Sequence, residues 1–192
     1  MSSSYFLRAI SLIFILLYLS DNTSTLPDKN ESVTQKLIQD ICSKTRNPSL
    51  CANNLNPLKG TRLLHRPLSV LATNLISTAK SNAERTVTLF QERLHGMPKA
   101  KLELKKKYKN CGKSYTNVMK QLKTIKTYLT REDMDHVKRY TMMAAGQVRS
   151  CDVVLAGPPW IELEANIKLL QANREFKDLC EIVVNICNFL IY

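Results

Sequence analysis

The chain has 192 residues, 44% of them apolar, and its 28 Lys and Arg against 16 Asp and Glu give a formal net charge of +12. Five glycines and no phosphate-loop pattern exclude a nucleotide cradle, and the length allows one domain with a real core. Such charge favours acidic surroundings, against the plain alternative of a solvated surface that keeps the protein soluble.

The first residues do not belong to the fold. Arg8 precedes an apolar run from Ala9 to Leu19, too short to span a bilayer and followed by polar Ser20 to Thr25. This reads as a signal peptide over residues 1–24, cut somewhere within 20–25. A polar lead-in over 25–32 and a helical domain over 33–192 follow. A secreted chain is expected in the extracellular space, with no stable membrane insertion after cleavage. Nucleic acid, the usual partner of basic proteins, is then not expected, and an acidic protein or polysaccharide fits better. Asn30-Glu31-Ser32 is an accessible glycosylation sequon. Asn22-Thr23-Ser24 leaves with a late cut, and Pro48 excludes Asn47-Pro48-Ser49.

Apolar residues recur at three and four positions, the period of a helix. Val33, Leu37, Ile38 and Ile41 mark a first short helix, and Pro48 opens a second through Leu55. Asn56 to Pro67 reads as a loop. Leu68, Leu71, Leu75, Ala79, Ala83, Val87, Phe90 and Leu94 then line one face of a long helix, with Gly96 as its stop and Pro98 as a new start. Tyr108, Cys111, Tyr115, Val118, Leu122, Ile125 and Leu129 line the next. Thr130 with Asp133 resembles an N-cap arrangement for a third, with inner face Val137, Tyr140 or Thr141, Ala144, Val148, Cys151 and Leu155. Gly157-Pro158-Pro159 ends it, and Trp160 reads as a packing anchor. The last helix, from about Glu162, turns Leu163, Ile167, Leu170, Phe176, Leu179, Val183, Ile186 and Leu190 inward. The expectation is an all-α fold: an up-down-up-down four-helix bundle preceded by an N-terminal helical hairpin.

Six cysteines allow fifteen pairings. Cys42 and Cys51 flank the hairpin turn. Cys111 and Cys151 lie on inner faces of successive helices, where a bridge is reasonable and would close a loop of about 40 residues, worth roughly 4 kcal/mol in the chain-entropy model. Cys180 and Cys187 stand two turns apart, about 10.5 Å along one helix. That is too far to bridge each other, so they read as buried free thiols.

No residues suggest catalysis. His65, His95 and His136 are scattered near loops and helix ends, and no cofactor or metal site is expected. Glu132, Asp133 and Asp135 sit at a helix start, where acids complement the dipole. Lys106, Lys109, Lys113, Lys120 and Lys123 fall opposite the apolar face of their helix. This lengthwise basic ridge is either a solvated face or a surface that steers a negatively charged partner, an acidic polysaccharide or the acidic rim of an enzyme.

Four segments together resemble the plant invertase and pectin methylesterase inhibitor family. They are Ile41-Cys42-Ser43-Lys44-Thr45-Arg46-Asn47-Pro48-Ser49-Leu50-Cys51, Cys111-Gly112-Lys113-Ser114-Tyr115, Met143-Ala144-Ala145 ahead of Cys151-Asp152, and Asn173 to Leu179 in the closing helix. The resemblance implies disulfides Cys42–Cys51 and Cys111–Cys151, a four-helix bundle with an N-terminal hairpin, and a non-catalytic apoplastic protein that blocks the cleft of a cell-wall enzyme. Three departures stand out. Cys180 and Cys187 are extra, Gln147-Val148-Arg149-Ser150 is unusually basic, and the Pro-Lys-Phe motif of members that inhibit invertase is absent where Met134-Asp135-His136 stands. Pro98-Lys99-Ala100 looks similar but begins a different helix. The missing motif favours pectin methylesterase over invertase as target, and the resemblance makes acidic pectin the negatively charged polymer that the lysine ridge would meet. A basic cell-wall-binding or defence protein without inhibitory activity is the remaining alternative.

Overall fold

The computed structural model describes residues 32–62, 65–158 and 163–191. The signal segment, Asn30 and Trp160 lie outside the described residues, as do the side chains of His65 and Leu163.

Two short helices come first. Helix α1 (Gln35–Cys42) starts at Thr34, whose hydroxyl accepts from the Leu37 amide at 3.2 Å. Val33, expected within this helix, is buried just before it. Helix α2 (Pro48–Leu55) is opened by Asn47, whose Oδ1 accepts from Leu50 N at 3.1 Å, with Pro48 at the first position where no intrahelical amide is needed. A Cys42–Cys51 disulfide with Cα atoms 5.4 Å apart joins the two helices. The segment expected as loop contains a 3₁₀ turn over Asn56–Leu58. Gly60 then turns the chain at φ +80°, a region that favours glycine. Hydrogen bonds Gly60 N to Val33 O (2.9 Å) and Val33 N to Thr61 O (3.1 Å) tie this turn back to the start of the domain.

Four long helices follow: α3 (His65–His95), α4 (Leu102–Leu129), α5 (Met134–Ala156) and α6 (Leu163–Ile191). Each packs on two neighbours around one core, α3 on α4 and α6, and α5 on α4 and α6, and the hairpin lies against α6. The fold is an all-α up-down-up-down four-helix bundle with an N-terminal hairpin. Phe90, Tyr108, Tyr115 and Phe176 fill its centre in tilted and edge-on arrangements, with centroids 5.6 to 6.4 Å apart. The apolar face expected for α4 is buried at every position.

The structure departs from the expected elements in several places, and α4 begins at Leu102 rather than at Pro98. Helix α3 begins at His65, so Pro67 lies inside its first turn rather than in a loop. That is tolerated because the first-turn amides have no intrahelical partner. Thr130 belongs to the end of α4, not to a cap of α5. Glu132 takes a left-handed conformation at φ 54°, Glu132 N bonds Leu129 O at 3.2 Å, and Asp133 N bonds Tyr128 O at 3.1 Å. This paired 5→2 and 6→1 pattern closes α4. Asp133 alone then caps α5, accepting from His136 N at 3.1 Å. In α6 the expected inward residue Ile167 is 52% exposed, and Leu169 is buried instead. Counting back from Phe176 by seven reaches Leu169, so the core phase is set by the well-packed half of the helix. Leu170 and Leu190 are half-buried. Of the Tyr140/Thr141 alternatives, Thr141 is the buried one, its hydroxyl donating to Val137 O at 2.7 Å.

Candidate partner-binding surface

The hairpin loop is bound tightly to the bundle. Thr45 is buried and donates its hydroxyl to Cys42 O at 2.8 Å, which shapes the turn. Arg46 gives both its backbone N–H (3.0 Å) and Nε (3.1 Å) to Glu181 Oε2 on α6, and its guanidinium stands 3.6 Å from Asp178. Residues 45–48 therefore turn, clamp and cap. The segment that carries the strongest family resemblance is occupied with folding.

A second polar system crosses the interior. Tyr115 Oη on α4 donates to Asn173 Oδ1 on α6 at 2.6 Å, and Asn173 Nδ2 donates to Asp152 Oδ1 on α5 at 2.6 Å. Lys177 completes the pairing of Asp152. One polar chain thus links α4, α5 and α6. Beside it a disulfide joins Cys111 to Cys151, with Cα atoms 4.9 Å apart. Burial pushes the Tyr115 hydroxyl well above the ordinary phenol range, so it stays a neutral donor. Sequence reasoning did not single out Asp152 or Asn173 as partners. The one available signal was a polar Asn173 three residues before core Phe176, on the inward phase of its helix.

The other expected residues fall into place around this frame. Cys180 and Cys187 are free and buried, and burial pushes both thiols upward, Cys187 to about 12. They have neither the exposure nor the thiolate character of reactive cysteines. Asp133 pairs with His136 at 2.8 Å, and His136 stacks on Tyr128 with ring centroids 4.5 Å apart. Hydrogen bonds from the His136 side chain and backbone hold the Asp133 carboxyl below the usual carboxylate range. Glu132, Asp133 and Asp135 serve a helix junction. Among the described residues no three His, Cys, Asp or Glu side chains converge as a metal site.

What remains for recognition is surface. Lys106, Lys109, Lys113, Lys120 and Lys123 are all exposed along the outer side of α4. A groove of about 420 Å³ lies between the hairpin tip, α5 and α6, bordered by Arg46, Met142, Gly146 and Arg149. A Cβ on Gly146 would meet nothing within 4 Å, so this mid-helix glycine leaves the groove open without a packing need. Met142 and Met143 are also exposed on α5.

A disulfide-clasped helical frame, with its polar interior spent on packing and its variety on the outside, defines a binding scaffold. The sequence matches the family model described as plant invertase/pectin methylesterase inhibitor over residues 36–186. It is 31% identical to a pectinesterase inhibitor of Actinidia deliciosa over 189 residues, covering 98% of this chain and 95% of that relative. The chain belongs to the plant invertase/pectin methylesterase inhibitor family, a family of enzyme inhibitors rather than enzymes. The fold is also that of a crystallised mutant form of a pectin methylesterase inhibitor from Arabidopsis, with TM-score 0.64, 21% identity, and coverage of 79% of this chain and 95% of that one. A second Arabidopsis thaliana pectin methylesterase inhibitor structure gives TM-score 0.58 at 21% identity, covering 82% and 98%.

Proposed function

We propose that this protein is a secreted inhibitor of pectin methylesterase that occludes the enzyme's cleft by stoichiometric, non-covalent binding. The observation that carries this reading is the end-to-end similarity to a pectinesterase inhibitor, at 31% identity over 98% of the chain. Physical features support it. Two disulfides and a polar chain through α4, α5 and α6 keep the surface preorganised, which lowers the entropy lost on association. The free thiols are buried, so no accessible cysteine offers a covalent mode. Bridged cysteines and the apolar leader suit an oxidising extracellular compartment, in the cell wall. The absent Pro-Lys-Phe motif speaks against invertase as the target.

Titrating purified, oxidised protein against a plant pectin methylesterase and a plant acid invertase tests this. Methylesterase activity should fall linearly to an end point near one equivalent, with no mass adduct on either protein and no effect on invertase. Inhibition of invertase alone would overturn the choice of target. Inhibition of neither would overturn the inhibitor reading and leave a basic wall-binding protein.

A further inference from the structure

We propose that the outer face of α4 is a docking surface for a linear poly-carboxylate, namely a de-esterified tract of galacturonate polymer. Helix α4 carries eight lysines and a single acid, Glu103. Five of those lysines, Lys106, Lys109, Lys113, Lys120 and Lys123, fall within about 100° of arc at 100° per residue, centred opposite the buried stripe from Tyr108 to Leu129. From Lys106 to Lys123 the line extends roughly 26 Å at 1.5 Å per residue. Its middle, between Lys113 and Lys120, holds exposed Thr116 and Asn117, short polar side chains suited to sugar hydroxyls.

The charge on this line is uncompensated. Lys106 pairs with Glu103 at 2.6 Å, whereas Lys109, Lys113, Lys120 and Lys123 have no carboxylate within 4.0 Å among the described residues. Single cations elsewhere, such as Lys36, Lys44, Lys59 and Lys99, also stand without a carboxylate within 4.0 Å among the described residues, but these four are spread over separate segments and form no row. A row of like charges on one helix face repels itself and is relieved by a matching row of opposite charge.

The chemistry of the row favours a polymer over a protein rim. Protein interfaces are depleted in lysine and rely on buried aromatic or apolar anchors. No apolar residue lies in the stripe between Lys106 and Lys123. Lysine rows with no apolar centre are the means by which proteins hold linear polyanions, through neutralised charge and released counterions. A methyl-esterified galacturonate is neutral, and each hydrolysed ester leaves one carboxylate. The ridge would therefore read the esterification state of the polymer and hold the protein on de-esterified tracts. The consequence, that an inhibitor gathers where its target has already worked, rests on the proposed function. The binding itself does not.

The test is binding of the oxidised protein to immobilised polygalacturonate and to the same polymer fully methyl-esterified, between 50 and 200 mM NaCl. The variants are K109Q/K113Q/K120Q/K123Q and a charge-matched control, K36Q/K44Q/K59Q/K99Q, which replaces exposed lysines on other elements. The wild type should bind only the de-esterified polymer. The ridge variant should lose at least about tenfold in affinity at 50 mM salt, and its log–log salt slope should fall by about three, near 0.7 per lost contact. Equal losses in both variants would overturn the proposal in favour of diffuse charge. Unchanged polymer binding with slowed association to the methylesterase would overturn it in favour of an acidic enzyme rim. Polymer binding as expected without methylesterase inhibition would support the ridge and remove the proposed function instead.

Discussion

Replacing Tyr115 by Phe removes one oxygen from the centre of the bundle and almost no volume, so the effect isolates a hydrogen bond. Tyr115 and Asn173 are fully buried, and the hydroxyl donates to Asn173 Oδ1 at 2.6 Å. Among the described residues no other donor reaches that oxygen, and Asn173 Nδ2 is engaged with Asp152. The variant therefore loses the bond and strands a buried acceptor, an effect of about 1–3 kcal/mol. For a domain of this size that corresponds to a melting temperature lower by roughly 4–8 °C at the middle of the range. Because burial holds the phenol neutral, the loss should be the same from pH 5 to 8. Thermal melts of Y115F, N173A and the double variant form a mutant cycle. The double variant should be less destabilised than the sum of the singles by about 1 kcal/mol or more, since each single change already breaks the same bond. Inhibitory activity at a temperature where all variants are folded should not change. Additive effects, or a Y115F shift under about 0.5 kcal/mol, would show that this polar chain does not hold α4, α5 and α6 in register.

Three further outcomes follow from local geometry. Glu132→Gly should raise stability by about 1 kcal/mol, read as a higher urea midpoint at unchanged slope, because glycine takes the left-handed position at φ 54° without a Cβ penalty. Asp133→Asn keeps a good helix cap but removes a carboxylate whose folded-state pKa is depressed. That charge stabilises the fold fully above its unfolded pKa of about 3.9 and is lost as pH falls through the lower folded value. The melting-temperature difference between wild type and Asp133→Asn should therefore shrink as pH falls below about 4; a difference independent of pH from 3 to 6 would count against the Asp133–His136 pairing. A thiol reagent added to the native protein without reductant should titrate none of the cysteines, and after unfolding it should titrate two, Cys180 and Cys187. Native-state labelling of either would contradict their burial.

The legible parts of the fold were those where a single rule acts alone. Helix α4 has one apolar stripe and no Gly or Pro conflict on it, and its seven expected core residues are all buried. Hairpin, helix order and long-helix faces follow from the same 3.6-residue period. Misreadings occurred where two rules compete for one residue. Thr130 and Asp133 both suit a cap, and only the left-handed turn at Glu132 decides that one ends α4 while the other opens α5. Ile167 and Leu169 both supply apolar surface, and only packing against the neighbouring helices selects Leu169. The interior polar chain was hidden for another reason. Tyr115, Asp152 and Asn173 come from three helices, and no local pattern says that their polar ends converge.

The hairpin motif shows why a scaffold is easier to read than its target. Thr45, Arg46, Asn47 and Pro48 each have a structural task in the turn, the α6 clamp or the α2 cap, so their identities are constrained by contacts inside the chain. A partner constrains only residues that face outward, and among the described residues these include the lysine line of α4 and the methionine-flanked groove beside α5. Apart from the Arg46 edge of the groove, which clamps the hairpin to α6, neither surface holds up the core. Lys109, Lys113, Lys120 and Lys123 can change without disturbing a buried contact, and Gly146 can gain a Cβ without a clash. Target choice can therefore vary on this frame at little cost in stability, and variants at these lysines or Gly146→Ala should alter binding while leaving the melting temperature within about 1–2 °C, as expected for surface substitutions of under about 0.5 kcal/mol.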